Sequence, residues 1–402
     1  MKLLVLVSFL ISTTASASVW KANRSWTEQD EVKFSLFLQS EWAADVFANP
    51  QSDFYGIKTD CADAVYAARI VFSAREGLPV KFSDVTKSGS YLTQEMSRWD
   101  GLSPLERIKR FISYTGDLVS TLTLESDTYP VAINKDFFRP GVIFLSPILS
   151  DFEKRATGFH GGHAEYVKRI DDIGFIEAIA STSPKAVRTL SLNKNPYMAA
   201  LVTRGGFRRW RQPQQFGVNV ENLTGYSLEQ FNIADWAPLK LITRRQIYQW
   251  HEAIRRTLRT RAPSFDERVD IVVDSICSLL TTRAELVQQG WSEVTKNGGR
   301  CLSADLADQY STDSRDQRIR GSYFQLGDLY DWKKREDGDD ILGSVEDAQS
   351  KLEKCRIQYW PGRFMNTWEI YPRVRDGLLE SSASYAPAVR WGFRPKGTRD
   401  CR

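Results

Sequence analysis

The chain has 402 residues, a formal net charge of +4 at pH 7 and hydrophobic side chains at 42% of its positions. This length suits one large or two ordinary domains with a packed core. So small a basic excess is no signature of nucleic-acid binding, and we expect no nucleic-acid partner. The charge does suit an acidic polymer such as a cell-wall glycan.

The first 17 residues resemble a secretory signal peptide. Lys2 precedes an apolar run from Leu3 to Ile11, and Ala15-Ser16-Ala17 offers a cleavage site of small residues. The apolar run is too short for a membrane anchor. No later stretch is long and apolar enough to span a bilayer. We therefore predict a secreted or periplasmic mature chain, residues 18–402, without an integral membrane segment.

Helical patterns come first in the mature chain. Apolar side chains recur at near-helical spacing over residues 27–48. Asp60 is a candidate N-cap for an alanine-rich helix that carries Cys61 and ends before Gly77. Pro104 is suited to the first turn of a third helix, which we predict to reach about residue 122.

Short strand patterns follow the helices. Residues 142–145, 161–167 and 175–180 are predicted strands, and a hairpin turn at 171–174 joins the last two. Helices followed by a small antiparallel meander indicate an α+β fold. We place a first domain at residues 18–212. Residues 213–402 are predicted to be a mainly helical extension, with helices near 241–258 and 267–289.

The five cysteines imply one free thiol in an oxidising compartment. Four of them lie in the C-terminal half, and Cys61 stands alone upstream. Among the three possible connectivities, pairing nearest neighbours predicts the disulfides Cys277–Cys301 and Cys355–Cys401.

Cys61 is the candidate nucleophile. A cysteine at a helix start is favoured as a thiolate by the helix dipole and the free backbone N–H groups. The thiolate is the nucleophilic form, and it needs a base nearby. The chain has three histidines, His160, His163 and His251. We prefer His163 because it opens a predicted strand, whereas His160 lies in the preceding loop.

The order of these elements resembles the NlpC/P60 branch of the papain-like cysteine hydrolases. The matching segments are Asp60-Cys61-Ala62-Asp63, Pro140-Gly141-Val142-Ile143-Phe144, Gly162-His163-Ala164-Glu165-Tyr166-Val167 and Phe175-Ile176-Glu177-Ala178. The resemblance covers about residues 54–182, with an inserted helical segment between Cys61 and His163. It implies a papain-like core, in which the helix carrying the cysteine packs on a small antiparallel sheet. It also implies hydrolysis of an amide, often in cell-wall peptides.

The resemblance and the chemistry of thiols together assign the roles. Cys61 attacks a carbonyl carbon, and His163 takes the thiol proton and later passes it to the leaving amine. Glu177 would hold the imidazole in its tautomer, although it is equally suited to a solvent-facing strand position. The backbone N–H of Cys61 would bind the oxyanion. By analogy with a family tyrosine, Tyr55 is a candidate second donor.

Other functions remain open at the level of sequence. The chain could be a non-catalytic, wall-binding relative of these hydrolases, or an enzyme that transfers the acyl group to an amine or hydroxyl. We expect no cofactor. We also expect no metal, because His160 and His163 lack a third ligand nearby and the acidic loop at 337–340 lacks calcium-loop spacing. The arginines between 208 and 261, interleaved with Trp210 and Trp250, form either a solvated face or a surface that docks an anionic glycan.

Overall fold

The computed structural model describes residues 18–157, 162–194, 202–232 and 244–402. The predicted signal peptide and His160 lie outside the described residues. We call the described residues between 18 and 258 the sheet part and residues 265–402 the helical part. The sheet part encloses two apolar clusters, one on each face of its sheet, and the helical part encloses a third. The helices of the sheet part are α1 (Glu28–Ser40), α2 (Cys61–Glu76), α3 (Pro104–Leu118), α4 (Thr121–Asp127), α5 (Asp151–Thr157) and α6 (Arg244–Leu258). Its strands are β1 (Lys81–Ser83), β2 (Tyr91–Thr93), β3 (Thr128–Pro130), β4 (Ile143–Ser146), β5 (His163–Ile170), β6 (Ile176–Ala180), β7 (Ser191–Lys194) and β8 (Gly206–Trp210).

One antiparallel sheet organises the sheet part. Its strands lie in the order β3-β8-β4-β5-β6-β7, and β1 and β2 form a separate hairpin. The predicted meander is present as β4, β5 and β6, which pair with each other in chain order. The prediction of an α+β fold is confirmed, and the sheet is larger than the sequence indicated because β3, β7 and β8 extend it on both sides.

Helix α2 is central to this part of the molecule. Asp60 caps it as predicted: its side chain accepts from the N–H of Asp63, and the Asp63 side chain accepts from the N–H of Asp60. Gly77 ends the helix in the left-handed conformation, at φ +64°. The helix is buried on nearly every side. Its alanines allow close packing against α3 and against β5.

Helix α6 covers the face of the sheet that lies opposite α2. Trp250, Ile254 and Leu258 pack in one core with Phe144 and Phe207 of the sheet. The ring planes of Trp250 and Phe207 are stacked, with their centroids 5.6 Å apart. The apolar packing of the sheet therefore continues beyond residue 213, the predicted start of the C-terminal extension.

The helical part encloses an apolar cluster of its own and consists mainly of helices. Its helices are α7 (Phe265–Lys296), α8 (Ala304–Gln309), α9 (Asp313–Asp337), α10 (Gln349–Leu352), α11 (Thr367–Arg375) and α12 (Pro387–Arg390). It also contains a hairpin formed by β9 (Arg356–Trp360) and β10 (Arg363–Asn366). Among the described residues, no helix has the length and apolar character needed to cross a bilayer.

The disulfide pairing differs from the prediction. Cys277 pairs with Cys355, and Cys301 pairs with Cys401. Cysteines that follow one another in the sequence do not pair with one another. Cys277 lies on α7, and this helix packs along β9, next to Cys355. The N–H of Cys301 in turn donates to the carbonyl of Arg402, which fixes the C-terminus beside it. The prediction that Cys61 is the free cysteine is confirmed.

The two tryptophans of the basic stretch belong to the apolar core. Trp210 is 4% exposed and Trp250 is fully buried. Arg208 is buried as well and donates to the carbonyls of Glu125 and Thr128. The suggestion that these tryptophans form part of a glycan-docking surface is therefore wrong.

Candidate active site at the start of helix α2

Cys61 occupies the first position of α2, facing the first residues of β5. Its Sγ donates to the carbonyl of Gly162 at 3.7 Å, and the side chain is buried, with 5% of the residue exposed. The thiol thus lies against the backbone on either side of His163, the residue predicted to be its base.

The surroundings of the thiol favour its neutral form. Burial and the negative charge of Asp60 raise the pKa of Cys61 to about 12. Hydrogen bonds from the backbone N–H groups of Ala62 and Ala164 lower this pKa, but by less than burial and Asp60 raise it. In the described conformation Cys61 is therefore a thiol at neutral pH, not the thiolate expected from its position at a helix start.

His163 opens β5 and pairs with Ser146 of β4. Its side chain is 23% exposed, and Nε2 lies 2.6 Å from Nη2 of Arg318 on α9. Because a guanidinium can only donate, Nε2 must be the acceptor, and the neutral ring carries its proton on Nδ1. Burial and the charge of Arg318 lower the pKa of His163, although Glu165 acts in the opposite direction. In the part of the chain that the structure describes, no hydrogen bond joins the ring to Cys61.

Glu165 is the carboxylate beside the histidine. It lies two residues after His163 on the same face of β5, and its Oε2 is 3.9 Å from His163 Nε2. Burial disfavours its charged form, but the nearby His163 and the charge of Arg318 outweigh this, so the pKa of the carboxyl is lowered. Oε2 is buried and accepts no hydrogen bond within the described residues.

The two other predicted site residues lie elsewhere. Glu177 pairs with Arg169, opposite it on β5 and six residues beyond His163. At about 3.3 Å per strand residue, this places Glu177 far outside hydrogen-bond reach of the imidazole. Tyr55 is in a turn before α2, is 47% exposed and does not line the cleft described below. The structure brings together Cys61 and His163 and supplies Glu165 in place of Glu177.

An open cleft of about 990 Å³ adjoins these groups. Its walls come from three places: the start of α2 and β5, the loop from Thr182 to Leu190, and helices α7 and α9 of the helical part. The helical part therefore forms one wall of the cleft. This size is typical of a binding site for a peptide-sized or sugar-sized ligand.

Thr59 attaches the loop between β6 and β7 to the start of α2. Its N–H donates to the carbonyl of Ala186 at 3.0 Å, and the N–H of Ala186 donates back at 3.2 Å. Lys185 from the same loop lies 3.3 Å from Asp63, the second capping residue of α2. Burial and the charge of Asp60 raise the pKa of Asp63 to about 6, and Lys185 partly opposes this. The loop, and Arg188 within it, are thereby fixed beside Cys61.

No set of three or more His, Cys, Asp and Glu side chains able to hold a metal occurs in the described ranges. Comparisons with protein-family models, with curated proteins and with solved structures found no match.

Reasoning from sequence missed two groups at this site. A signal for Glu165 was available, because alternate residues of a strand share a face and Glu165 follows His163 by two. No local signal could identify Arg318, which is 155 residues from His163 in sequence and meets it only through the packing of α9.

Proposed function

We propose that the chain is a secreted or periplasmic thiol hydrolase with a papain-like core, and that it cleaves an amide bond in peptidoglycan peptides. One observation carries the proposal. The single cysteine that is not in a disulfide begins a capped helix and borders the same cleft as a histidine with a buried carboxylate beside it. Two disulfides elsewhere in the chain are consistent with an exported protein.

The described conformation corresponds to a resting state of this enzyme. With Arg318 on Nε2 and a proton on Nδ1, the His163 ring has no free lone pair to accept the thiol proton. If Arg318 leaves, Nε2 can carry the proton and donate it to the unpaired Oε2 of Glu165. Nδ1 then becomes the free acceptor, which is the tautomer a general base needs.

The chemical steps follow from that tautomer. His163 accepts the thiol proton as Cys61 Sγ attacks the carbonyl carbon, and free backbone N–H groups at the start of α2 stabilise the oxyanion. The C–N bond breaks as His163 returns the proton to the leaving amine, and a thioester remains on Cys61. Water then attacks the thioester, giving one proton to His163, and the released sulfur recovers that proton.

The test is cleavage of purified peptidoglycan by residues 18–402, with released fragments identified by mass spectrometry. Cys61→Ala should abolish release while the far-ultraviolet circular dichroism spectrum and the disulfides stay unchanged. His163→Gln should reduce release by a factor of at least 100. Equal release by the wild type and Cys61→Ala would overturn the proposal.

The second candidate is a non-catalytic wall-binding protein. Two observations favour it: the pKa of the Cys61 thiol is raised to about 12, and Arg318 occupies the nitrogen of His163. Labelling by iodoacetamide at pH 7.5 separates the candidates. The comparison is made in Arg318→Gln, where the imidazole is released. Labelling of Cys61 that is fast in Arg318→Gln and lost when His163→Gln is added supports the hydrolase. Labelling that stays slow in both variants, together with sedimentation of the protein with insoluble peptidoglycan, supports the binder.

A further inference from the structure

Three arginines from two separate segments converge on the cleft. Arg188 comes from the loop between β6 and β7, and Arg315 and Arg318 lie one turn apart on α9. All three are half-buried and line the cleft with Cys61 and His163. Three guanidinium groups on the wall of one cleft are costly unless an opposite charge compensates them.

No carboxylate within the described ranges lies at ion-pair distance from any of these arginines. Arg318 donates to His163, and Arg188 donates to the carbonyl of Pro184 while its Nε remains buried without a partner. Arg315 has no hydrogen bond or ion pair in the described structure. Its neighbour in sequence, Asp316, is instead engaged by Arg283, whose Nε lies 2.6 Å from Asp316 Oδ1.

The acids at the cleft compensate the arginines only in part. Glu165 interacts with Arg318, whose charge lowers the pKa of this carboxyl, and Asp60 acts on Arg188, but neither acid makes an ion pair with these arginines. Glu285, Asp308 and Asp313 also line the cleft, but they are exposed to solvent and make no ion pair with the three arginines. Burial and the charge of Arg318 lower the pKa of Arg315 to about 10, and Arg188 contributes in the same direction, while Asp316 and Glu285 partly oppose this. The cleft thus holds three guanidinium groups that make no ion pair with a carboxylate among the described side chains.

We propose that Arg188, Arg315 and Arg318 bind an anionic group with two or more charged oxygens, and that this binding draws Arg318 away from His163. Guanidinium groups recognise phosphate and carboxylate oxygens by paired, charge-assisted hydrogen bonds, which a neutral imidazole nitrogen cannot match. The anion would be part of the molecule that enters the cleft, as a phosphate ester or as a pair of carboxylates.

The second half of this proposal rests on the proposed function. Departure of Arg318 leaves Glu165 and Asp60 as the charged groups that act on His163, and both favour a protonated ring. Binding of the anion would therefore raise the basicity of His163 and release its Nε2 for Glu165. In this way the enzyme would be activated only when the anionic part of its substrate is in place.

Binding is tested by isothermal titration calorimetry at constant ionic strength, with inorganic phosphate and with N-acetylglutamate as separate probes. The probe that binds more tightly shows whether the anion is a phosphate ester or a pair of carboxylates. Arg315→Gln should weaken that binding at least tenfold, and Arg315→Lys should weaken it less. Arg320→Gln is the matched control, because Arg320 is an exposed residue of the same helix that does not line the cleft. Absence of binding by both probes, or equal binding by wild type and Arg315→Gln, would overturn the site.

The effect on His163 is tested by proton NMR titration of the histidine ring signals, assigned with His163→Gln. A probe concentration just sufficient to saturate the wild type should raise the pKa of His163 there and raise it less in Arg315→Gln, whose weaker site is only partly filled. An unchanged pKa despite binding would overturn the coupling to Arg318. Neither readout needs catalysis, so failure of Cys61 to cleave peptidoglycan would leave the anion site standing and count against the hydrolase alone.

Discussion

The sheet part and the helical part are stabilised by different kinds of interaction. The sheet part has an aromatic-rich core around α2 and keeps its one cysteine as a thiol. The helical part has a core of its own around α7 and α9 and adds two disulfides. The comparison indicates a division of roles, because the thiol chemistry would occur in the first part while the second provides a covalently fixed wall that carries Arg315 and Arg318.

Buried arginines occur in both parts and serve their cores. In the sheet part, Arg69 makes two hydrogen bonds to Glu31, at 2.8 and 2.9 Å, and its guanidinium lies 3.4 Å from the ring centroid of Trp26. In the helical part, Arg283 binds Asp316 and the carbonyl of Arg390. These arginines have partners, whereas Arg315 has none among the described residues, and this contrast sets the cleft arginines apart from structural ones.

The largest expected effect comes from removing the disulfides. Cys277→Ser with Cys355→Ser, or Cys301→Ser with Cys401→Ser, should each lower the free energy of unfolding by about 4.5 kcal/mol, because each bridge closes a long loop. Denaturant unfolding followed by hydrogen exchange should locate the loss in residues 265–402. If the sheet part lost as much protection from exchange as the helical part, this would contradict the division of the molecule into these two parts.

Breaking the Arg69–Glu31 pair should have the next largest effect, this time in the sheet part. Arg69→Met leaves the Glu31 carboxylate buried with its main partner removed, which should cost about 4 kcal/mol. Urea unfolding provides the measurement. The control is Arg75→Met, since Arg75 lies on the same helix and pairs with Glu41 at the surface, where the loss should stay below about 1 kcal/mol.

Asp127 should make the sheet part less stable as the pH rises from 4 to 6. Burial raises the pKa of this carboxyl to about 6 in the folded chain, above the ordinary aspartate value of about 3.9, although hydrogen bonds from Ser83 and Tyr66 oppose this. The folded state therefore holds a proton that the unfolded state has lost, and the stability present below pH 4 is lost as the pH approaches 6. The difference in unfolding free energy between the wild type and Asp127→Asn should change by about 2 kcal/mol between pH 4 and pH 6. A constant difference would show that Asp127 is ionised when folded.

The smallest effect on stability is expected at the proposed nucleophile. Cys61→Ala removes one sulfur atom that makes a single weak hydrogen bond, so the free energy of unfolding should fall by about 1 kcal/mol or less. Thermal unfolding at pH 7.5 is a sufficient measurement. A loss above about 3 kcal/mol would indicate that Cys61 is a packing residue of the core.

Local features of the fold could be predicted from the sequence, whereas features that depend on packing could not. The capping residue Asp60, the end of α2 at Gly77 and the meander of β4 to β6 all depend on a few neighbouring residues. The disulfide pairing depends on how α7 lies along β9, and nearest-neighbour pairing was therefore wrong.

The site shows the same distinction between local and long-range information. The placement of Cys61 at the start of α2 and of His163 at the start of β5 could be predicted. We predicted Glu177 as the partner of the imidazole, but the register pairs Glu177 with Arg169, and Glu165 is the carboxylate that lies beside His163. The raised pKa of Cys61 results from burial and the charge of Asp60, and the extent of this burial cannot be deduced from a helix start alone.

The most direct test of the account is the rate at which iodoacetamide labels Cys61 between pH 6 and 9. In the wild type without a ligand, labelling should be slow, because burial and Arg318 keep the thiol and imidazole in their resting forms. Arg318→Gln should raise the rate at least tenfold near pH 7.5, and adding His163→Gln to it should remove the gain. Equal rates in all three proteins would contradict the claim that His163 activates Cys61 when Arg318 leaves it.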